Sequence, residues 1–218
     1  FRSSTAVGVS GNDIGLTGAN GIDVQTSTLV GVADNIVAGT TGHGIAAAGG
    51  TAIGIANNTV GLTGADGINV AGSTLGAVAD NTVLGTTGHG IALSDTAAFT
   101  VDSNNVGLTG ANGIDLSRVA GIAVTNNLVG GTTGRGINLS EGLGVSVDGN
   151  TVLLTGDDGI AAEKSALIEV TNNNVGLSGD DGISLDEVAL AEVSGNTVLG
   201  TAGHGIAAED SALVNIDS

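Results

Sequence analysis

Apolar and polar positions alternate along this chain in three short runs that recur every 23 residues. In one copy the apolar positions are Ile122 and Val124, then Val129, then Ile137 and Leu139. Alternation with a period of two predicts β-strands, and runs of three to five residues are too short for helices. Corners rich in Gly, Asn and Thr separate the runs, so the pattern predicts three short strands per repeat.

A Gly-Ile pair marks the repeat, and its spacing never changes. A fixed period between 20 and 50 residues predicts a solenoid, in which each copy forms one coil. Stacked coils would place each strand beside its counterparts and form three parallel sheets. The sequence therefore predicts an all-β protein, a single-stranded parallel β-helix of about nine coils that forms one domain over residues 1–218. The pairs are Gly21-Ile22, Gly44-Ile45, Gly67-Ile68, Gly90-Ile91, Gly113-Ile114, Gly136-Ile137, Gly159-Ile160, Gly182-Ile183 and Gly205-Ile206.

An Asn occupies one corner of every predicted coil. A buried amide needs partners for two N–H donors and one acceptor oxygen. Because equivalent Asn residues would lie directly above one another, we predict a ladder in which each amide binds the next. The column comprises Asn12, Asn35, Asn58, Asn81, Asn104, Asn127, Asn150, Asn173 and Asn196.

The amino-acid composition indicates the kind of core and excludes some classes of partner. The chain has 40 Gly and two Phe but no Pro, Cys, Met, Trp or Tyr, which predicts a thin core packed by aliphatic side chains. Its formal net charge of −18 excludes a nucleic-acid partner, because a phosphate backbone requires a basic surface. Polar residues interrupt every apolar run, so we predict no membrane insertion.

Three segments of one repeat resemble those of known solenoids: Asn104–Val106, Gly113–Leu116 and Ile122–Val124. They resemble the right-handed parallel β-helix repeats of the pectin-lyase-like superfamily, which is found in pectin-degrading enzymes, tailspikes and bacterial surface proteins. The resemblance covers the whole chain and implies a right-handed coil. It does not name an activity, because one fold hosts many activities.

The unbroken period favours a structural role. Catalytic clefts need walls that exclude water, and no insertion interrupts the 23-residue repeat to build one. The terminal segments 1–11 and 207–218 keep the repeat pattern and show no evident cap. The sequence therefore predicts a non-enzymatic module of an extracellular or cell-surface rod, adhesin, sheath or self-assembling fibre. Its partners would be adjoining repeats, or further copies stacked end to end or side by side.

Acidic residues gather at one predicted corner. Asp157 and Asp158 lie one coil before Asp180 and Asp181, with His204 on the following coil. Four close carboxylates repel one another unless a proton or a cation intervenes, and Ca²⁺ accepts such oxygen ligands. We predict that the four Asp residues hold Ca²⁺, the only cofactor that the sequence suggests. Asp residues that simply suit a turn are the alternative.

The same corner is similar to motifs of polygalacturonases, which carry an Asp pair and a Gly-His-Gly on neighbouring coils. That resemblance implies an alternative function, a polysaccharide-binding or polygalacturonase-like carbohydrate-active β-helix. Asp180 and Asp181 would be the general acid and the base that activates water, with Asp158 as the preceding Asp and His204 in support. The family's Asn-Thr-Asp and Arg-Ile-Lys segments do not occur in this chain.

Overall fold

The computed structural model describes residues 1–217, which form 28 short strands and no helix. Every pairing between neighbouring strands is parallel, and the strands divide into three sheets of ten, nine and nine strands. Paired residues lie 23 positions apart, as in Val101 with Val124 and Ile114 with Ile137. The predicted β-solenoid of about nine coils, with three strands per coil, is confirmed.

Each sheet takes one strand from successive coils. The first sheet comprises Ala6–Ser10, Leu29–Ala33, Ala52–Ala56, Thr74–Ala79, Ala97–Asp102, Ala123–Thr125, Leu143–Asp148, Ala166–Thr171, Ala189–Ser194 and Ala212–Asp217. The second comprises Asp13–Gly15, Ile36–Thr40, Thr59–Thr63, Thr82–Thr86, Asn105–Thr109, Leu128–Thr132, Thr151–Thr155, Asn174–Ser178 and Thr197–Leu199. The third comprises Ile22–Gln25, Ile45–Ala48, Ile68–Ala71, Ile91–Ser94, Ile114–Ser117, Ile137–Ser140, Ile160–Glu163, Ile183–Asp186 and Ile206–Glu209.

The core lies inside the coil and consists of stacked aliphatic side chains. The period-two pattern turns alternate residues inward, so Ile114 and Leu116 are fully buried while the intervening Asp115 faces outward. One large residue interrupts the aliphatic stack. Phe99 is buried, and the preceding coil places Gly76 against its ring, where a Cβ would collide with the aromatic edge. A small residue on one coil thus makes room for a large one on the next.

The corner between the first and second sheets contains the predicted Asn ladder, which is confirmed. The side-chain Nδ2 of Asn104 donates to Oδ1 of Asn127 on the next coil, and to the carbonyl oxygen of Val78 at 2.8 Å. The internal members of the column, from Asn35 to Asn173, are buried. Their side-chain amides therefore provide hydrogen-bond partners for the buried polar groups of the corner without water.

The corner between the second and third sheets is closed by Thr hydroxyl groups. Each Oγ1 donates to the carbonyl oxygen two residues later, as Thr109 does to Ala111 at 2.9 Å. Thr155 makes the same bond to the carbonyl of Asp157 at 2.8 Å. This bond fixes the backbone beside Asp157 and Asp158, whereas Ser178 occupies the same column one coil later and its hydroxyl has no hydrogen-bond partner.

Candidate functional site

The acidic residues lie at the corner between the second and third sheets, on adjacent coils. The segment Gly156–Gly159 connects strands Thr151–Thr155 and Ile160–Glu163, and the segment Gly179–Gly182 makes the same connection one coil later. Because the strands before and after these segments pair in register, the two Asp pairs are stacked. The structure thus brings the predicted Asp residues together.

A chain of hydrogen bonds follows this corner from coil to coil. Oδ1 of Asp158 accepts from the backbone N–H of Asp181 at 3.1 Å, and Oδ1 of Asp181 accepts from that of His204 at 2.6 Å. Nδ1 of His89 accepts from the backbone N–H of Asn112 at 3.2 Å in the same way. The side chains that accept the next coil's amide are those of Asn20, His43, Asp66, His89, Asn112, Asp158 and Asp181.

This acceptor column was not predicted, although the sequence contains its signal. Asn, Asp and neutral His all carry an acceptor atom at the δ1 position, so the three residue types are interchangeable in the column. Backbone capping therefore explains the Gly-His-Gly segments that contain His43 and His89.

Arg135 is the exception in the column, because a guanidinium has no acceptor. Among residues 1–217, the backbone N–H of Asp158 on the next coil has no hydrogen-bond partner. The Arg135 side chain instead extends over the acidic residues. Its contacts are Nε to Asp158 Oδ2 at 3.1 Å, Nε to Asp157 Oδ2 at 3.7 Å, Nη2 to Glu163 Oε1 at 2.5 Å and Nη1 to Asn138 Oδ1 at 2.8 Å.

Arg135 and the acidic residues line an open groove of about 270 Å³ that runs across coils on the outer face of the third sheet. Several of the lining residues were not predicted. Three of them, Glu163, Asp186 and Glu209, come from a neighbouring column, in which Ser94, Ser117 and Ser140 give way to acidic residues on later coils. The lining comprises Arg135, Asp157, Asp158, Glu163, Asp180, Asp181, Ser184, Asp186 and Glu209.

Three of the four residues predicted to bind Ca²⁺ form a compact group. Asp157, Asp158 and Asp180 each offer a carboxylate oxygen, and these oxygens lie within 4.8 Å of one another. Asp181 is not part of this group, since its Oδ1 binds the His204 amide and lies 3.2 Å from His204 Nδ1. The Arg135 guanidinium already supplies positive charge to this cluster. The Ca²⁺ site stays a prediction.

The carboxylates of the groove differ in their surroundings. Burial raises the pKa of Asp158, and the charges of Asp157 and Asp181 add to this effect, which exceeds the opposing effects of the Asp181 amide and Arg135. Asp180 is exposed, whereas the Asp181 side chain is only 15% exposed. Asp158 is therefore the carboxyl group of the groove whose charged form burial disfavours.

The face of the third sheet continues as a polar surface toward earlier coils. Asp115 accepts from Nδ2 of Asn112 at 2.7 Å and from Nδ2 of Asn138 at 2.8 Å, and Asn138 in turn binds Arg135. The groove and these amides thus form one connected network across several coils. Carboxylates and amides in such a row can exchange hydrogen bonds with the hydroxyl groups of a chain-like ligand.

Comparison with protein families gives one match, to the family described as the right-handed beta helix region. The match covers residues 1–152 and 66–218, which together span the chain. No curated protein sequence matches this chain. No helical segment with the length and hydrophobicity of a bilayer span occurs in residues 1–217.

Solved structures share the fold at low sequence identity. The enzymatically active domain of tailspike protein 2 from bacteriophage CBA120 superposes with a TM-score of 0.73 and 14% identity, over 93% of this chain and 38% of that one. The periplasmic alginate epimerase AlgG gives 0.62 and 16%, over 80% and 47%. The A-module of the Azotobacter vinelandii mannuronan C-5 epimerase AlgE4 gives 0.59 and 10%, over 97% and 79%. The chain therefore spans less than half the length of the first two.

These comparisons contradict the prediction of a non-enzymatic structural rod or fibre. The solved structures that share the fold include a domain described as enzymatically active and two epimerases. The prediction failed for a physical reason. It assumed that a cleft requires an insertion into the repeat, whereas here side chains of differing length on unbroken coils form the groove beside Arg135.

Proposed function

Because the chain belongs to the right-handed β-helix family, we propose that it is a carbohydrate-active protein that binds a polysaccharide along the third sheet and processes it at the acidic corner. The observation that carries the proposal is the groove in which the carboxylates of Asp157, Asp158 and Asp180 converge. The solved tailspike domain and the alginate epimerases support the assignment to carbohydrate chemistry.

The shape of the surface supports a chain-like ligand. Neighbouring coils of a parallel sheet lie about 4.8 Å apart, and each coil presents its own polar groups on the outer face. A polysaccharide is also a repeating chain, so successive sugars can meet successive coils. The groove is open along the stack, which suits a polymer better than a small molecule. We therefore propose that the protein acts outside the cell or at a cell surface.

The chemistry follows from the pair of carboxylates. Hydrolysis of a glycosidic bond uses one carboxyl group to protonate the leaving oxygen and another to activate water or attack the sugar. We assign these two roles to Asp180 and Asp181. Asp158 lies beside both of these residues. Its contacts with Arg135 and with the backbone amide of Asp181 hold its side chain in place. His204 is 76% exposed and supports Asp181 through Nδ1.

The experiment is to incubate the purified protein with a panel of soluble polysaccharides. New reducing ends would report hydrolysis, absorbance of unsaturated ends would report elimination, and NMR of the polymer would report epimerisation. Loss of acid–base catalysis lowers rates by about 10²–10⁴-fold. We therefore expect Asp180→Asn and Asp181→Asn each to lower the rate at least about 100-fold.

The columns of the repeat offer controls. Asn20 and Asn112 already occupy the column of Asp181, so Asp181→Asn keeps the acceptor for the His204 amide and changes only the charge. Asp80→Asn is the matched control, because it lies at a distant exposed corner where Asn57 and Asn126 occupy the same column. If both corner variants retain the activity of the unaltered protein, the chemistry does not occur at this corner. If no polysaccharide is bound or altered, the proposed function is wrong.

A further inference from the structure

Each nitrogen of the Arg135 guanidinium contacts a side chain of the protein. Its Nε contacts Asp158, its Nη2 contacts Glu163 and its Nη1 contacts Asn138. The side chain is 23% exposed. The charge of the guanidinium, which lines the groove, is therefore balanced by the protein's own carboxylates.

No other cationic side chain lines the groove among the described residues. The chain contains four Lys and Arg residues in all. Arg118 makes a two-point ion pair with Asp95, with Nε to Oδ1 at 2.7 Å and Nη2 to Oδ2 at 2.9 Å. Arg2 and Lys164 also lie outside the groove lining. A ligand in the groove thus meets one engaged guanidinium and a surplus of carboxylates.

Carboxylates without a partner dominate the rest of the lining. Asp180, Asp186 and Glu209 make no ion pair within residues 1–217. A sugar carboxylate in this groove would face like charges, which disfavour binding. Hydroxyl groups can instead donate to these oxygens in charge-assisted hydrogen bonds. The chain also has no Trp or Tyr, so hydrogen bonds rather than aromatic stacking must select the ligand.

We infer that Arg135 is an internal counter-ion that sets the substrate class of the groove, so that the protein selects uncharged polysaccharides and rejects polyuronates. This inference rests on the proposed function. It assigns to Arg135 a positioning role, in which the guanidinium holds Asp157, Asp158 and Glu163 together without contacting the sugar. Releasing the guanidinium from one of these partners should make it available to an anionic ligand.

The test measures dissociation constants for an uncharged galactomannan and an uncharged β-glucan, and for polygalacturonate and polymannuronate. The unaltered protein should bind at least one uncharged polymer more tightly than either polyuronate. Glu163→Ser removes the acceptor of Nη2, and Ser140 already occupies the same column one coil earlier. We expect this variant to bind the polyuronates about tenfold more tightly, the gain from one charge-assisted contact.

Glu209→Ser is the matched control, because it removes one negative charge from the same column and groove while leaving Arg135 bonded. It should change polyuronate binding less than Glu163→Ser does. The inference is overturned if the unaltered protein prefers a polyuronate, or if Glu209→Ser produces an equal gain; the proposed function survives either result. Absence of binding to all four polymers overturns the proposed function together with the inference. Circular dichroism confirms that each variant keeps its fold.

Discussion

Asn104 and Asn127 are joined by two hydrogen bonds that converge on a single oxygen. Oδ1 of Asn127 accepts from Nδ2 of Asn104 at 2.9 Å and from the backbone N–H of Asn104 at 2.9 Å. The same arrangement joins Asn81 to Asn104 at 3.0 Å. Each side-chain amide thus makes hydrogen bonds with groups on its own coil and on the neighbouring coils. The removal of one Asn therefore leaves polar groups on those coils without partners.

Asn104→Val should therefore lower the free energy of unfolding by roughly 1–3 kcal/mol, the cost of buried groups without partners. Urea denaturation followed by circular dichroism measures this change. Asn105→Thr is the control, since Asn105 is exposed and Thr82 and Thr151 occupy its column. An unchanged denaturation midpoint for Asn104→Val would show that the ladder does not stabilise the stack.

The glycine of the Gly-Ile pair is required by a close approach between coils. A Cβ on Gly113 would collide with the Val129 side chain and lie 2.7 Å from the carbonyl oxygen of Gly136. Gly113→Ala should lower the free energy of unfolding by roughly 1–3 kcal/mol, as overpacking of a core does. Gly31→Ala provides the comparison, because no atom lies within 4 Å of a Cβ there. Equal denaturation midpoints for the two variants would contradict the steric argument.

The sequence predicts the fold closely because the 23-residue period is also the structural period. Once Gly113 and Gly136 are known to occupy equivalent positions, every side-chain column follows, including the Asn ladder. The period does not predict the backbone conformation of individual residues. Exposed Leu residues such as Leu108, with φ of +52°, adopt a left-handed conformation that Leu disfavours, and only the stacked coils impose it.

The candidate site was predicted in part, for the same reason. Asp157 and Asp180 occupy equivalent positions on adjacent coils, so the period alone predicts that they meet. Glu163 and Glu209 belong to another column. Whether that column faces the Asp residues depends on the angle of the corner, which the period does not specify. The shared acceptor chemistry of Asn, Asp and His could have been recognised from the sequence.

Strain at exposed Leu residues predicts a substitution that stabilises the protein. Leu108 is 69% exposed, and Gly131 occupies the same column with φ of +67°. Leu108→Gly should raise the free energy of unfolding by about 0.5–1 kcal/mol, because Gly adopts this conformation without the penalty paid by an L-residue. Leu128→Gly should instead lower it by a similar amount of about 0.5–1 kcal/mol, since Leu128 lies in a strand without a positive φ. Thermal denaturation of both variants measures whether each substitution raises or lowers the stability. Destabilisation by Leu108→Gly would show that the packing of the Leu108 side chain outweighs the backbone strain.

The raised pKa of Asp158 makes its contribution to stability depend on pH. Burial is the main cause, and the folded protein therefore holds this proton up to a higher pH than the unfolded chain does. Between the ordinary pKa and the raised one the folded state binds more protons, so the contribution of Asp158 falls as pH rises. Asp148 has the opposite behaviour. A hydrogen bond from Thr171, and to a smaller extent one from Asn172, lowers the pKa of Asp148. The contribution of Asp148 to stability is therefore lost as pH falls.

Asp158→Asn should consequently gain stability relative to the unaltered protein as pH rises from the ordinary pKa of an Asp side chain to the raised pKa of Asp158. Asn retains the acceptor for the Asp181 amide but loses the Oδ2 acceptor for Arg135 Nε, so the pH dependence of the difference, and not its size, reports the titration. Asp148→Asn should lose stability relative to the unaltered protein as pH rises from the lowered pKa of Asp148 to the ordinary pKa of an Asp side chain. Urea denaturation at several pH values gives both differences, and subtraction of the unaltered protein removes the titration of all other groups. Parallel pH profiles for the two variants would contradict the raised pKa of Asp158.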